Sequence, residues 1–204
     1  MGIVRTVEWS LSVAPVEAER RVRDALLAVG MEAEHHAGTI VATSKRSMLK
    51  NRWAAEVTID LAPLHSGTQA TCRVDMAGTK HYALLDEIAE AVGDDAFDDR
   101  GIQQAIDRLG KASRIFGRKE VRHLRHLIRA GEKVAALGQG AYEKKQGIVA
   151  LTDQRLFFFE KSIGSESLEE FGFASISSLE VGKKVTGERL SSSIRPVTAP
   201  RSPT

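Results

Sequence analysis

The chain has 204 residues, of which 42% are apolar and 27% charged, and its net charge is +2. That length holds one large domain or two small ones, and so small a net charge excludes strong overall steering, so an anionic partner would have to be met by a local patch. The single cysteine, Cys72, excludes an intrachain disulfide framework, and apolar runs of only a few residues exclude a membrane-spanning helix.

Ile3, Arg5, Val7, Trp9 and Leu11 alternate with Val4, Thr6, Glu8 and Ser10, which predicts a half-buried first strand. The opening "MGIVRT" fits the loose myristoylation pattern at Gly2, but such a strand would hide that glycine. No apolar signal-peptide core is present. Pro15 starts a helix with Ala18, Val22, Ala25, Leu26 and Val29 on one face and Gly30 as its stop. Strands are expected over Met31–His35, Thr39–Thr43, Trp53–Leu61 and Thr68–Met76, with Cys72 a buried, inert thiol in the last. A helix from Lys80 to Val92 closes this part, giving one antiparallel sheet under two helices.

The acidic "DDAFDDR" at 94–100 reads as a solvated linker, followed by a helix with Ile102, Ala105, Ile106, Leu109 and Ala112 as its stripe. Gly117 separates it from a helix over Arg118–Ala130, which Gly131 ends. Five strands follow: Ala135–Tyr142, Gly147–Thr152, Leu156–Lys161, Ser167–Phe171 and Ile176–Val181. In the third, period-two geometry puts Phe157 and Phe159 on one face and Leu156 and Phe158 on the other, so both faces need cover. The Ser- and Pro-rich residues 184–204 read as a flexible tail.

The stretches "GEKVAALGQGAY", "GIVALTDQRLFFFEK" and "EEFGFASISSLEV" resemble the bacterial PH-like domains, especially the YokE-like group. The resemblance implies a non-enzymatic binding fold of seven strands and a closing helix. Five strands are counted before the tail, so either the domain is incomplete, or the tail is more ordered than its composition reads, or other elements complete the barrel, the helix over Arg118–Ala130 being one candidate. Residues 3–92 are similar, in element order alone, to one repeat of the TATA-binding-protein-like fold, which carries no DNA binding with it. The expected class is therefore α+β, with an N-terminal antiparallel sheet and two helices at 1–93, a helical linker at 94–117, a partial PH-like barrel at 118–183 and a tail at 184–204.

Two basic clusters are candidate anionic-surface sites. Arg118, Arg122, Arg125 and Arg129 share one face of an amphipathic helix, and Lys45, Arg46, Lys50 and Arg52 precede Trp53, which could stack a base or sit in the core. His123 and His126 stand three apart on that helix, but no supporting carboxylate or cysteine lies nearby in sequence, so no metal is expected. His65 and His81 are expected to be exposed. "GQG" at 138–140 lacks the Lys-Ser/Thr ending of a phosphate loop and suggests a bulge or close approach. Nothing brings a Ser, His and Asp together, so no enzyme, cofactor or small-molecule substrate is expected. The sequence points to a cytoplasmic binding or assembly module, in contact with a protein, with itself, or peripherally with an anionic membrane surface. The alternative is a nucleic-acid-associated protein using the patches at 45–52 and 108–129.

Overall fold

A computed structural model describes residues 2–36, 38–49, 51–109, 118–143, 145–162, 165–184 and 187–194. The chain folds as two units, Met1–Arg100 with Ile115–Gly131, and Gly101–Arg114 with Glu132–Thr204. It is an α+β protein whose sheets are all antiparallel.

In the first unit, β1 (Ile3–Leu11), α1 (Pro15–Ala28), β2 (Glu32–His36), β3 (Thr39–Ser44), β4 (Ala55–Leu64), β5 (Gly67–Met76) and α2 (His81–Val92) follow the expected order. The sheet runs β1-β5-β4-β3-β2. Its alternation sends Val7, Trp9, Leu11, Val57, Ile59, Ala70, Cys72, Val74 and Met76 inward. They meet Ala18, Val22, Ala25 and Leu26 of α1 and Leu84, Leu85, Ile88 and Ala89 of α2 in one apolar core. Burial pushes the Cys72 thiol well above its ordinary range, which leaves it unreactive.

Three expectations change here. The first residues of β1 and Gly2 are exposed, because burial begins only at Val7. His81 is buried, and its Nε2–H donates to the Ile3 carbonyl at 2.6 Å, a contact between β1 and α2 that local sequence does not announce. The acidic stretch 94–100 is a built part of the unit, since a 3-10 turn (Asp94–Ala96) buries Ala96 and Phe97 beside β1. There Ser12 N–H donates to Ala96 O at 2.8 Å and Asp98 N–H to Ser10 O at 2.9 Å.

On the surface of α1, Glu17 accepts from Arg20 and Arg21 at 2.7 Å, and Arg21 also reaches Asp95 at 2.8 Å. Hydrogen bonds from Arg20, then Arg21, lower the Glu17 carboxyl from 4.5 to about 2. A carboxyl lowered in the folded state stabilises the fold above its unfolded value and ceases to as pH falls through its folded value. The contribution of Glu17 is therefore expected to be complete above about pH 4.5 and to fade down to about pH 2. Carboxyl-carbon NMR of Glu17 checks this, and a midpoint near 4.5 in the folded protein would contradict it.

The second unit begins with α3 (Ile102–Arg108), whose Ile102 and Ala105 are buried. Ala112, assigned to the same stripe from sequence, lies outside the described residues. The sheet that follows runs β6 (Val134–Tyr142), β7 (Lys145–Thr152), β8 (Arg155–Ser162) and β9 (Ser165–Gly172), each paired with the next. The register shifts between Val134 and Ala136, and the carbonyl of the extra residue, Ala135, accepts from Arg108 at 3.2 Å. A short 3-10 turn, Phe173–Ser175, leads to β10 (Ile176–Lys184), which pairs with β11 (Gly187–Ile194) as a separate ribbon. Thus Gly187–Ile194, read from composition as tail, is a strand, while 195–204 lie outside the described residues. The three consecutive serines, Ser191 to Ser193, do not prevent pairing when the backbone supplies the bonds. Among the described residues no sheet closes into a barrel.

Both faces of β8 are covered. Phe157 stands opposite Ala150 and Phe159 opposite Ile148, all buried. On the other face, the Phe158 ring lies beside Gly147 and 5.8 Å from the Tyr142 ring, which is itself 5.5 Å from Phe171. A Cβ on Gly147 would sit 2.2 Å from Phe159 O and 2.8 Å from Phe158 Cζ, so glycine is required by space rather than by its φ. Gly147→Ala should destabilise this unit by about 1–3 kcal/mol through overpacking. Hydrogen exchange at β7 and β8 amides would report it, and unchanged protection would contradict the packing described.

Candidate functional site

The basic helix forms as α4 (Arg118–Leu127), and it belongs to the first unit rather than to the PH-like part. Its Leu124 and Leu127, and Ile128 just beyond its end, are buried. The shared-face expectation for its arginines is corrected at Arg125, whose side chain is only 12% exposed. Arg125 bonds Asp94 at 2.8 Å and its guanidinium lies 4.7 Å from the Phe97 ring centre. Occupied by an internal acid and an internal ring, it is not available to an outside anion. Arg129 is exposed, and its carbonyl, with that of Ile128, accepts from Arg100. The side chains of Arg118 and Arg122 lie outside the described residues.

The two histidines of α4 reach a carboxylate that is remote in sequence, Asp86 of α2. His126 Nε2 lies 3.0 Å from Asp86 Oδ1, and His123 Nδ1 lies 3.9 Å from Oδ2. Trp9 Nε1–H donates to His126 Nδ1 at 2.8 Å. An indole can only donate, so His126 Nδ1 must accept and its proton sits on Nε2, facing Asp86. The result is a hydrogen-bonded Trp9–His126–Asp86 chain inside the unit, with Tyr82 edge-on to His123 at 5.0 Å. Among the described residues no group of His, Cys, Asp and Glu is placed to hold a metal ion.

The second basic cluster divides by burial. Ser47 and Arg52 pair through backbone bonds of 2.8 and 3.0 Å, and Asn51, at φ 44°, closes the turn with a bond to Met48 O. Asparagine tolerates this left-handed conformation better than most residues. Arg52 is buried and bonds Glu87 of α2 at 3.0 Å, which removes it from the candidate set. Lys45 and Arg46 are exposed, while Lys50 lies outside the described residues. Trp53, which alternation would place in the core, is 50% exposed, with the Arg46 guanidinium 4.1 Å from its ring centre.

A tightly built polar group lies in the second unit, between the start of β6 and the β7–β8 turn. Glu132, just before β6, is fully buried and receives both Nε and Nη2 of Arg155 at 2.8 and 2.9 Å. Glu170 of β9 receives Nη1 of the same guanidinium. The Thr152 hydroxyl lies 2.8 Å from Glu132 Oε1 and accepts from the Gln154 and Arg155 amides at 3.1 and 3.0 Å. Asp153 and Lys133 exchange two further bonds, of 2.9 and 3.0 Å. Burial alone would lower the Arg155 pKa; the hydrogen bonds and charge of Glu132, with those of Glu170, outweigh it and raise it. Thus "GEK" and "TDQR", twenty residues apart, form one lock that sets the β6–β7 and β7–β8 register. A glutamate paired with a hairpin arginine was the available signal, but many surface pairs look the same in sequence.

A family model described as the bacterial PH domain matches residues 128–197, about a third of the chain. No curated protein and no solved structure matches it. The match takes in the Glu132–Arg155 lock, the aromatic hairpin, β9 and the β10–β11 ribbon. The C-terminal part of this chain carries a bacterial PH domain.

Proposed function

We propose that the protein is a non-enzymatic binding and assembly module whose PH-like domain docks another protein strand, in the first instance a second copy of itself. The short hairpin motif supports placing the domain with the YokE-like group. The observation that carries the reading is the open sheet. β9 pairs with β8 on one side and, among the described residues, with no strand on the other. A strand with one neighbour is a template for a second chain. Leu168, on β9, and Phe173, just beyond it, are among the large apolar side chains left exposed, which suits a protein partner better than water. The buried lock holds this edge in register, because Glu170 of β9 is bound to Arg155 of β8.

Sedimentation velocity over a concentration series tests this. The wild-type chain is expected to self-associate, and Leu168→Lys, which places a charge on the edge, is expected to shift it to monomer. A wild-type monomer at every concentration would remove the self-association reading. Dimers unaffected by Leu168→Lys would move the interface elsewhere.

A further inference from the structure

We propose that one end of the first unit's sheet is a docking surface for an anionic lipid bilayer, entered by the β3–β4 loop. This rests on reading the chain as a binding protein, but on a different surface from the β9 edge. The residues involved come together through strand register. Ser44, Ala55, Met76 and Ile3 lie in one row across β3, β4, β5 and β1. The β3–β4 loop, the turn from β5 to α2 and the start of β1 therefore leave the sheet at the same end.

This end is apolar and basic together. Of the ten large apolar side chains left exposed among the described residues, five are Ile3, Val4, Met48, Leu49 and Trp53. Met48 is 77% exposed and Leu49 98%, side by side at the loop tip. The tip is not loosely tethered: the Ser47–Arg52 backbone pair closes it, and Arg52 is anchored inside to Glu87. A fixed turn presenting two bare apolar side chains is suited to insertion into an acyl boundary, and a tryptophan beside it to the headgroup level. Trp53 stands within van der Waals distance of where a Gly78 side chain would be, which joins the loop to the turn carrying exposed Lys80. Lys45 and Arg46 are exposed at the start of this loop, and from Ser44 to Ala54 the sequence has no acid. Basic residues around an apolar tip match negatively charged headgroups, whereas a hydrophobic protein groove would not call for them. Arg46, over one face of Trp53, already occupies a face that a nucleic-acid base would need.

The test uses the full chain with vesicles of phosphatidylcholine alone or mixed with phosphatidylglycerol, read by co-sedimentation and tryptophan emission. Trp9 is fully buried, so a blue shift reports Trp53. Binding is expected to the mixed vesicles only, with a blue shift and weakening at high salt. Met48→Ser with Leu49→Ser should reduce it about tenfold or more. Lys45→Glu and Lys80→Glu should each reduce it roughly fivefold or more. Leu168→Lys should leave vesicle binding unchanged, which separates this surface from the assembly edge. Absence of binding, equal binding to both vesicle types, or binding insensitive to the loop variants would overturn the proposal. So would loop variants that change only self-association or only the retention of a single-stranded oligonucleotide, which would assign the loop to those partners.

Discussion

Glu132→Ala is expected to destabilise the C-terminal sheet by about 3–5 kcal/mol, the range for removing one partner of a buried ion pair. The cost comes from what remains. Arg155 stays buried, its Nε and Nη2 lose their acceptors, and the Thr152 hydroxyl loses the carboxylate oxygen 2.8 Å away. The pair itself need not stabilise the fold strongly, because desolvating two charges offsets much of their attraction. The double variant Glu132→Leu with Arg155→Met should therefore recover most of the loss. Hydrogen exchange at β7 and β8 is the right measurement, since both tryptophans lie in the first unit and do not report on this one. A loss under about 1 kcal/mol for Glu132→Ala would mean that Arg155 finds water or Glu170 instead.

Trp9→Ala is expected to cost about 3–5 kcal/mol in the first unit, as for other large-to-small changes in a closed core. Trp9 is fully buried, packs edge-on against Phe97 at 5.5 Å and donates to His126. The alanine variant opens a cavity and also leaves His126 Nδ1 without its donor. Trp9→Phe separates the two effects: it keeps most of the ring but not the N–H, so it should cost about 1–3 kcal/mol. Urea unfolding followed by far-UV circular dichroism checks both variants. Equal losses would show that the hydrogen bond to His126 contributes little.

Much of the first unit was legible because its signals are local. Alternation in β1, β4 and β5 and the 3.6-residue stripes of α1 and α2 name nearly the same inward residues that the fold buries. The misread positions are those whose surroundings come from afar. His81 looked like an exposed helix start until the Ile3 carbonyl met it. Asp94–Ala96 looked like linker because aspartates dominate its composition, but its backbone bonds lie with β1 and its Phe97 packs on Trp9. Arg125 looked like a solvated basic residue because helical spacing gives a face without saying what faces it.

By itself the sequence determined the α+β class, the element order, the two-sided burial demanded by Leu156–Phe159 and the PH-like character of the C-terminal part. Periodicity and turn chemistry act over a few residues, so one chain suffices to read them. Only the tertiary structure decided the partners of charge and aromatic groups. It assigned Arg155 to Glu132, Arg52 to Glu87 and Asp86 to His126, and it left Met48, Leu49 and Trp53 outside. It also gave α4 to the first unit and paired Gly187–Ile194 as a strand. The physical reason is the range of the forces: whether a charged or apolar side chain is buried depends on which distant element arrives beside it, and sequence spacing does not encode that arrival.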